Sequence, residues 1–175
     1  MQRRYSYVLS ARPGRDFARD FRPAVSPARM LRMGVFEGKY LNDCVLEFPR
    51  EWFARALAAG RLSPEGADAS RNAFRIKSRL PLGEWRRRGW VPAARGDRDV
   101  RGWFQWYCRY WVGRRQPPVD AVQIARWKAF ARHAAQILAS YRRLGRRRPR
   151  TAAEKREHRP RQRQALLQWA HNPYV

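Results

Sequence analysis

The spacing of apolar residues along the chain follows the period of an α-helix, and we therefore predict a mainly α-helical fold. The longest periodic stretch starts at Asp120, just after Pro117 and Pro118. From there, apolar residues recur three or four positions apart, at Ile124, Trp127, Ala131, Ala134, Leu138 and Tyr141. Side chains with this spacing share one helix face. The stretch predicts a single amphipathic helix of about six turns.

Prolines and glycines divide the first half of the chain into shorter helices. Ser26 before Pro27 is typical of a helix start, because proline suits the first helical position, and Gly34 is typical of a helix end. A second helix is predicted over 49–57, and its apolar side is formed by Trp52, Phe53, Ala56 and Leu57. A third short helix carries the arginines of 86–88, and its apolar residues are Leu82, Trp85 and Trp90.

The most aromatic segment covers residues 101–115, with the sequence RGWFQWYCRYWVGRR. It predicts a helix that is apolar on nearly every side, with rings at Trp103, Phe104, Trp106, Tyr107, Tyr110 and Trp111. Such a helix is usually buried, because monomers rarely expose large apolar patches. We expect most of these rings to lie in the core. One or two of them are also suited to a groove, where an aromatic face beside arginine stacks on bases.

Both ends of this helical region have a different composition. Residues 1–25 contain several prolines and little periodicity, so we interpret them as an extended lead-in, with a short strand considered over 5–9. Residues 142–159 are rich in arginine and nearly free of apolar side chains, which is typical of a flexible basic arm. We therefore predict a single compact helical domain with its core over 26–141. A last helix within 160–175 returns to this core through Leu166, Leu167 and Trp169.

The net charge of the chain indicates an anionic partner. The formal net charge is +25, and 35 of the 39 basic residues are arginines. A charge of this size opposes the compact state unless an anionic partner neutralises it, and nucleic acid is the simplest such partner. A GC-rich genome favours arginine over lysine, but it does not explain the shortage of acidic residues.

Candidate nucleic-acid contacts follow from this composition. Arginine makes forked contacts to phosphates, and glutamine hydrogen-bonds to base edges. The predicted contacts are Arg86, Arg87, Arg88, Arg109, Arg114, Arg115, Arg161, Arg163 and Gln164. In the last helix Arg161, Gln164 and Gln168 share one side. This side either meets nucleic acid or is the solvated face of a helix that closes the core.

No motif for catalysis stands out in the sequence. The chain lacks a P-loop, a dinucleotide-binding glycine signature, an HExxH pair and a nucleophile elbow. Cys44 and Cys108 are distant in sequence, and we expect both to be reduced, buried side chains. A nucleophilic Cys44 beside Asp43 is the weaker alternative. His133 is expected to be buried on the apolar side of the long helix rather than to act as a ligand or base.

Neither a metal nor another cofactor is predicted. Carboxylates cluster at Glu37, Asp43, Glu47 and Glu51, and such groups can bind Mg²⁺. In a chain with this excess of arginine, however, they are expected to form ion pairs. The glycines of 34–40 allow either a phosphate-binding turn that ends in Lys39 or an ordinary helix exit.

No stretch of the sequence is long and apolar enough for a membrane span, which takes about 18 or more consecutive apolar residues. The chain also has no signal segment with a small-residue cleavage site. We therefore expect a protein of the cytoplasm, and of the nucleoid or nucleus where it meets DNA, without a membrane partner. The sequence does not determine an oligomeric state.

Several strings of the chain resemble a widespread family of small uncharacterised proteins of bacteria, phages, large viruses and some eukaryotes. They are SPARMLRMGVFEGKYLNDC (26–44), FPREWF (48–53), RGWFQWYCRY (101–110), QIARWKAFARHAAQI (123–137) and RPRQRQALLQWA (159–170). The resemblance implies no established activity. Members of that family often carry cysteines in the segment that corresponds to 140–159, where this chain has none.

These observations favour a nucleic-acid-binding protein, with DNA slightly preferred over RNA because no RNA-binding signature is present. Two alternatives stay open. One is an enzyme that acts on nucleic acid, with a pocket formed by Glu37, Asp43, Cys44, His133 and the aromatic segment 101–115. The other is a structural or assembly protein that binds RNA or an acidic protein partner.

Overall fold

The structure, a computed structural model, describes residues 5–89, 99–143, 145 and 151–175. Its α-helices are α1 (Pro27–Met33), α2 (Arg50–Ala58), α3 (Leu82–Arg87), α4 (Trp103–Val112), α5 (Pro117–Phe130), α6 (Arg132–Arg143), α7 (Ala152–Glu157) and α8 (Pro160–Gln168). Short 3₁₀ turns lie at Phe36–Gly38, Val45–Glu47 and Ala69–Arg71. The described ranges contain no β-strand, and over 5–9 only Leu9 forms an isolated bridge, to Arg114. The predicted mainly α-helical fold is confirmed.

Helix α1 has the boundaries that the sequence predicts. The Ser26 hydroxyl accepts a hydrogen bond from the backbone N–H of Arg29 at 3.3 Å, and Pro27 occupies the first helical position. Gly34 ends the helix with a φ of 98°. A Cβ atom at Gly34 would lie 2.1 Å from the carbonyl oxygen of Arg71, so only glycine allows the two segments to approach this closely. Helix α2 also forms, although Leu57 is exposed rather than on its buried side.

The predicted single long helix is in fact two helices, and the boundary at Asp120 is wrong. Helix α5 already begins at Pro117, because the Asp120 carboxylate accepts from the N–H of Gln116 at 2.6 Å and so closes the first turn. Helix α6 begins after Ala131. The two helices pack into different clusters: Ile124 and Trp127 join the main core, whereas Ile137 and Tyr141 pack with Leu166 of α8.

Helix α4 is the centre of the core, as predicted. Trp106 and Tyr107 are fully buried, and their polar atoms have partners: Trp106 Nε1 donates to Asp120 at 2.8 Å and the Tyr107 hydroxyl donates to the Val25 carbonyl at 2.9 Å. Phe21 packs edge-on against the rings of Tyr107, Tyr110 and Trp127. Because Phe21 and Val25 are buried, the N-terminal segment is part of the core rather than only a lead-in to it.

The predicted basic arm contains regular structure. Helix α6 continues to Arg143, and α7 forms within the arm, capped by the Thr151 hydroxyl, which accepts from the N–H of Glu154 at 3.2 Å. His158 stacks on Tyr141, with ring centroids 4.3 Å apart. The interpretation of 142–159 as a wholly flexible arm is therefore wrong for 151–159, while 144 and 146–150 lie outside the described residues, as does Trp90. No described helix is long and apolar enough to cross a membrane.

Candidate nucleic-acid interface

The predicted contact residues separate into a buried and an exposed set. Arg109, Arg114, Arg163 and Gln164 are at most 1% exposed, so they cannot present their side chains to a polymer on the surface. Their prediction as surface contacts is wrong. Arg115 is half-buried, and the exposed residues are Arg86, Arg87, Arg88 and Arg161.

Arg109 and Arg114 form a buried charge network. The Arg109 guanidinium lies 2.5 Å from Glu47 and 3.0 Å from Asp99. Arg114 donates from two nitrogens to the two oxygens of Asp99, at 2.9 Å each, and also to the Tyr5 hydroxyl at 2.9 Å. Burial by itself lowers the pKa of Arg109, but the hydrogen bonds and charges of Glu47 and Asp99 together outweigh it and raise that pKa. The network fastens Tyr5 to the end of α4.

Arg163 joins three parts of the C-terminal region. Its guanidinium donates to the Tyr141 hydroxyl at 2.6 Å, to the His158 carbonyl at 2.8 Å and to the Pro173 carbonyl at 2.6 Å. Gln164 also binds the backbone of another segment, because its Nε2 donates to the Gly34 carbonyl at 3.1 Å. On the predicted polar side of the last helix, Gln164 and Gln168 are thus packed inside the protein, whereas Arg161 is exposed.

Arg115 is also used within the fold. Its guanidinium carbon lies 3.8 Å from the centroid of the Tyr110 ring, and its nitrogens donate to the carbonyl oxygens of Arg15 and Asp16 at 2.9 and 3.2 Å. Arg115 therefore stacks on an aromatic ring, but it does so to hold the N-terminal segment.

The exposed arginines at the end of α3, Arg86, Arg87 and Arg88, are accessible to an anionic ligand. Arg87 and Arg88 form ion pairs with Glu84, and their side chains are 77% and 51% exposed. Exposed ion pairs contribute little, so a phosphate can compete for these guanidinium groups. Arg86 is also exposed, and Trp85, which precedes it in the chain, is half-buried.

A cavity of about 350 Å³ lies against α3. Trp85, which directly precedes Arg86, forms part of its wall. Ser78 forms another part and donates a hydrogen bond to the carbonyl oxygen of Arg161. The cavity wall is thus adjacent in the chain to Arg86 and hydrogen-bonds to the backbone of Arg161, although neither arginine is among its lining residues. The remaining wall is largely aromatic, and its rings are Phe36, Tyr40, Trp103, Phe104, Phe130 and Trp169.

Three arginines line the same cavity, and none of its described lining residues is acidic. Arg79 is held by the buried Glu37 at 2.6 Å, Arg126 is half-buried and Arg132 is exposed. Flat apolar walls beside guanidinium groups suit a ligand that combines a planar ring with negative charge. The cavity and its arginines are the candidate interface.

The sequence pattern did not identify these three arginines. On one continuous helix Arg126 and Arg132 would project about 120° apart, from different faces. The break at Ala131 brings both to the cavity. Arg79 lies in a loop that carries no periodic signal. A helix break between two arginines is the only sequence feature that could have pointed here, and the regular apolar spacing across Ala131 conceals it.

A second cavity, of about 640 Å³, has a different lining. It is lined in part by the N-terminal segment and by Glu47 and Glu51, and the described residues of its wall include no arginine. Glu47 is already paired with Arg109, so Glu51 is left to repel a phosphate and no arginine of the described wall attracts one.

The predicted pairing of the acidic cluster is confirmed for three of its members. The ion pairs are Glu37–Arg79, Asp43–Arg101 and Glu47–Arg109. Glu51 is exposed and pairs with none of the described residues. Within the described ranges, no group of three or more histidine, cysteine or acidic side chains is arranged to hold a metal ion.

The 34–40 turn is a helix exit rather than a phosphate loop. The N–H groups of Gly34, Glu37, Gly38 and Lys39 all donate to acceptors of the protein itself. Lys39 Nζ donates to the carbonyl of Glu65 at 2.8 Å. These four backbone donors and the Lys39 ammonium are thus already used within the protein.

Ser140 and His158 form a pair that the sequence did not suggest. The Ser140 Oγ lies 2.7 Å from His158 Nε2, and it donates to the Ile137 carbonyl at 2.6 Å. Since the hydroxyl proton is used on that carbonyl, Ser140 accepts from the imidazole. A buried serine in this arrangement anchors α6 to His158, the residue that follows α7. His133 is half-buried against Phe130, where burial lowers its pKa.

Both cysteines are buried free thiols, as predicted. Burial raises the pKa of Cys44 to about 12 and that of Cys108 well above its ordinary value. Neither thiol therefore forms an appreciable thiolate near neutral pH, and the thiolate is the reactive form. Asp43, the neighbour considered for activation of Cys44, instead pairs with Arg101.

We expect the folded protein to react with less than one equivalent of Ellman's reagent within minutes at pH 8, and the unfolded protein to react with two. The reason is that both thiols are buried and protonated in the native state. The absorbance at 412 nm, read with and without guanidinium chloride, measures this. Fast reaction of a native thiol would show that Cys44 or Cys108 is an activated nucleophile.

Comparison of the chain with protein-family models, with curated proteins and with solved structures finds no match. The resemblance of its sequence strings to a family of small proteins stays a prediction. The case for a function therefore depends on the site itself.

Proposed function

We propose that the protein binds nucleic acid through the candidate interface. The observation that carries this proposal is the cavity that combines three arginines with aromatic walls. Arginine supplies phosphate contacts, and aromatic rings accept bases. We also propose DNA as the slightly preferred ligand.

The distribution of charge supports a polyanionic partner. Three acidic side chains form ion pairs with arginines inside the protein. They are Glu37, Glu47 and Asp99, and their side chains are at most 5% exposed. These acids cannot balance the surface. The surface therefore carries most of the +25 formal charge, which favours phosphate contacts and steers a polyanion to the protein.

The double variant Arg126→Gln/Arg132→Gln is expected to bind labelled DNA with a salt dependence that is shallower by about 2 in the slope of log K against log salt. Each lost phosphate contact removes about 0.9 of slope. Near 0.1 M salt, the affinity should fall roughly tenfold, which corresponds to about 1.4 kcal/mol. Fluorescence anisotropy over a salt series measures both quantities, with DNA and RNA strands compared.

The matched control is Arg50→Gln/Arg55→Gln, which removes the same charge from exposed positions of α2 outside the cavity wall. It should change the affinity less than the cavity variant does. Equal losses in both variants would show that binding depends on total charge alone. Absence of binding by the wild type at moderate salt would contradict the proposal and would favour the assembly role.

A further inference from the structure

Three residues of the cavity wall carry hydrogen-bond donors without an acceptor. The Tyr40 hydroxyl, Gln168 Nε2 and Arg79 Nε are buried atoms that hydrogen-bond to nothing in the described part of the chain. Gln168 is only 3% exposed. Buried donors are nearly always paired in folded proteins, because an unpaired one loses its water without compensation. Gln168 Nε2 and Arg79 Nε can only donate, and the Tyr40 hydroxyl can donate as well as accept, so a ligand that satisfies all three must bring acceptors.

The walls of the cavity restrict the shape of that ligand. Trp169 stacks on Phe130 with centroids 4.8 Å apart and planes 11° apart, and Phe36 lies against Phe104 at 5.1 Å. Trp85 lines the cavity, is half-buried and has no ring neighbour among the described residues. Its face is therefore available to a planar ring of the ligand.

The size of the cavity gives a third restriction. A volume of about 350 Å³ is in the range of small-molecule sites and far too small for a duplex. The neighbouring Arg126 and Arg132 are in place to bind a phosphate next to a ring inside the cavity. Burial raises the pKa of Tyr40, so its hydroxyl keeps its proton and stays a donor at neutral pH.

We propose that the cavity takes a single unpaired nucleobase, whose carbonyl and ring-nitrogen acceptors meet Tyr40, Gln168 and Arg79 while its ring stacks on Trp85. This inference rests on the proposed function and narrows it. The protein then binds single-stranded segments or extruded nucleotides more tightly than an intact duplex, because only an unstacked base can enter.

The test compares two labelled ligands of eight nucleotides, a single-stranded DNA with its bases and the same backbone made of abasic residues. The wild type should bind the base-bearing strand about tenfold or more tightly, in line with the effect of base stacking on an aromatic ring. The variant Tyr40→Phe/Gln168→Met keeps the size of both side chains and removes the donors. It should bind the base-bearing strand several-fold more weakly and leave the affinity for the abasic strand unchanged.

The control variant Tyr174→Phe removes a tyrosine hydroxyl outside the cavity wall and should leave both affinities as in the wild type. If the double variant unfolds at a lower temperature than the wild type, Tyr40→Phe alone provides the same comparison, since its ring contacts with Phe36 and Phe104 persist. Equal binding of the two ligands by the wild type would overturn the base pocket and leave the proposed function intact. Binding of neither ligand would overturn both.

Discussion

Asp99→Asn is expected to lower the free energy of unfolding by about 3–5 kcal/mol. Asp99 is 3% exposed and lies within 3.0 Å of both Arg109 and Arg114. Removing its charge leaves Arg109 with Glu47, and it leaves Arg114 without a carboxylate partner among the described residues. A buried charge without its partner keeps the full cost of leaving water.

Urea unfolding followed by tryptophan fluorescence measures this loss. The control is Asp16→Asn, which breaks the ion pair with Arg12 on the surface, where the two side chains are 47% and 76% exposed. That change should reduce stability by less than about 1 kcal/mol. If the two variants lose the same small amount, the network around Asp99 is not an element of the core.

The same network shows why the fold was easier to predict than the contacts. The all-round apolar pattern of 103–112 placed α4 in the core correctly, and the Ser26–Pro27 pair placed the start of α1. Burial of those rings is a local property that the sequence displays. The partners of Arg109 are 62 and 10 positions away, at Glu47 and Asp99, and no period links them.

The cavity illustrates a second limit. Its wall takes residues from the 36–40 turn, the 78–85 region, α4, the α5–α6 junction and the end of α8. Each of these segments reads as an ordinary helix or loop on its own. Their meeting depends on Gly34, whose carbonyl oxygen accepts from the backbone N–H of Ala73 at 2.9 Å and from Gln164 at 3.1 Å. Long-range contacts of this kind arise from tertiary packing, and a single sequence gives no periodic signal for them.

Arginine is also the residue type for which composition misleads most. It forms forked bonds to phosphates, and the same donors bind backbone carbonyls inside a protein. In this chain, with its net charge of +25, some of the arginines therefore form hydrogen bonds and ion pairs inside the protein. Arg161 and Arg163, two positions apart on α8, separate these uses: Arg161 is exposed, whereas Arg163 is fully buried.

Arg163→Gln is accordingly expected to lower the free energy of unfolding by about 3 kcal/mol, because hydrogen bonds to a charged group contribute about 1.5–3 kcal/mol and several are lost together. The acceptors left unpaired are the Tyr141 hydroxyl and the carbonyls of His158 and Pro173. Arg161→Gln removes the same charge and should stay within about 0.5 kcal/mol of the wild type. Chemical denaturation of both variants gives the comparison.

Binding measured on the same pair completes the test. At a temperature where Arg163→Gln is still folded, it should bind DNA as the wild type does, since its guanidinium contacts only the protein. Arg161→Gln should weaken binding about equally for all DNA sequences and make the salt slope shallower by about 1, as expected for one lost phosphate contact. The reverse result, a stable Arg163 variant that no longer binds, would place α8 on the nucleic acid with its now-buried face turned outward.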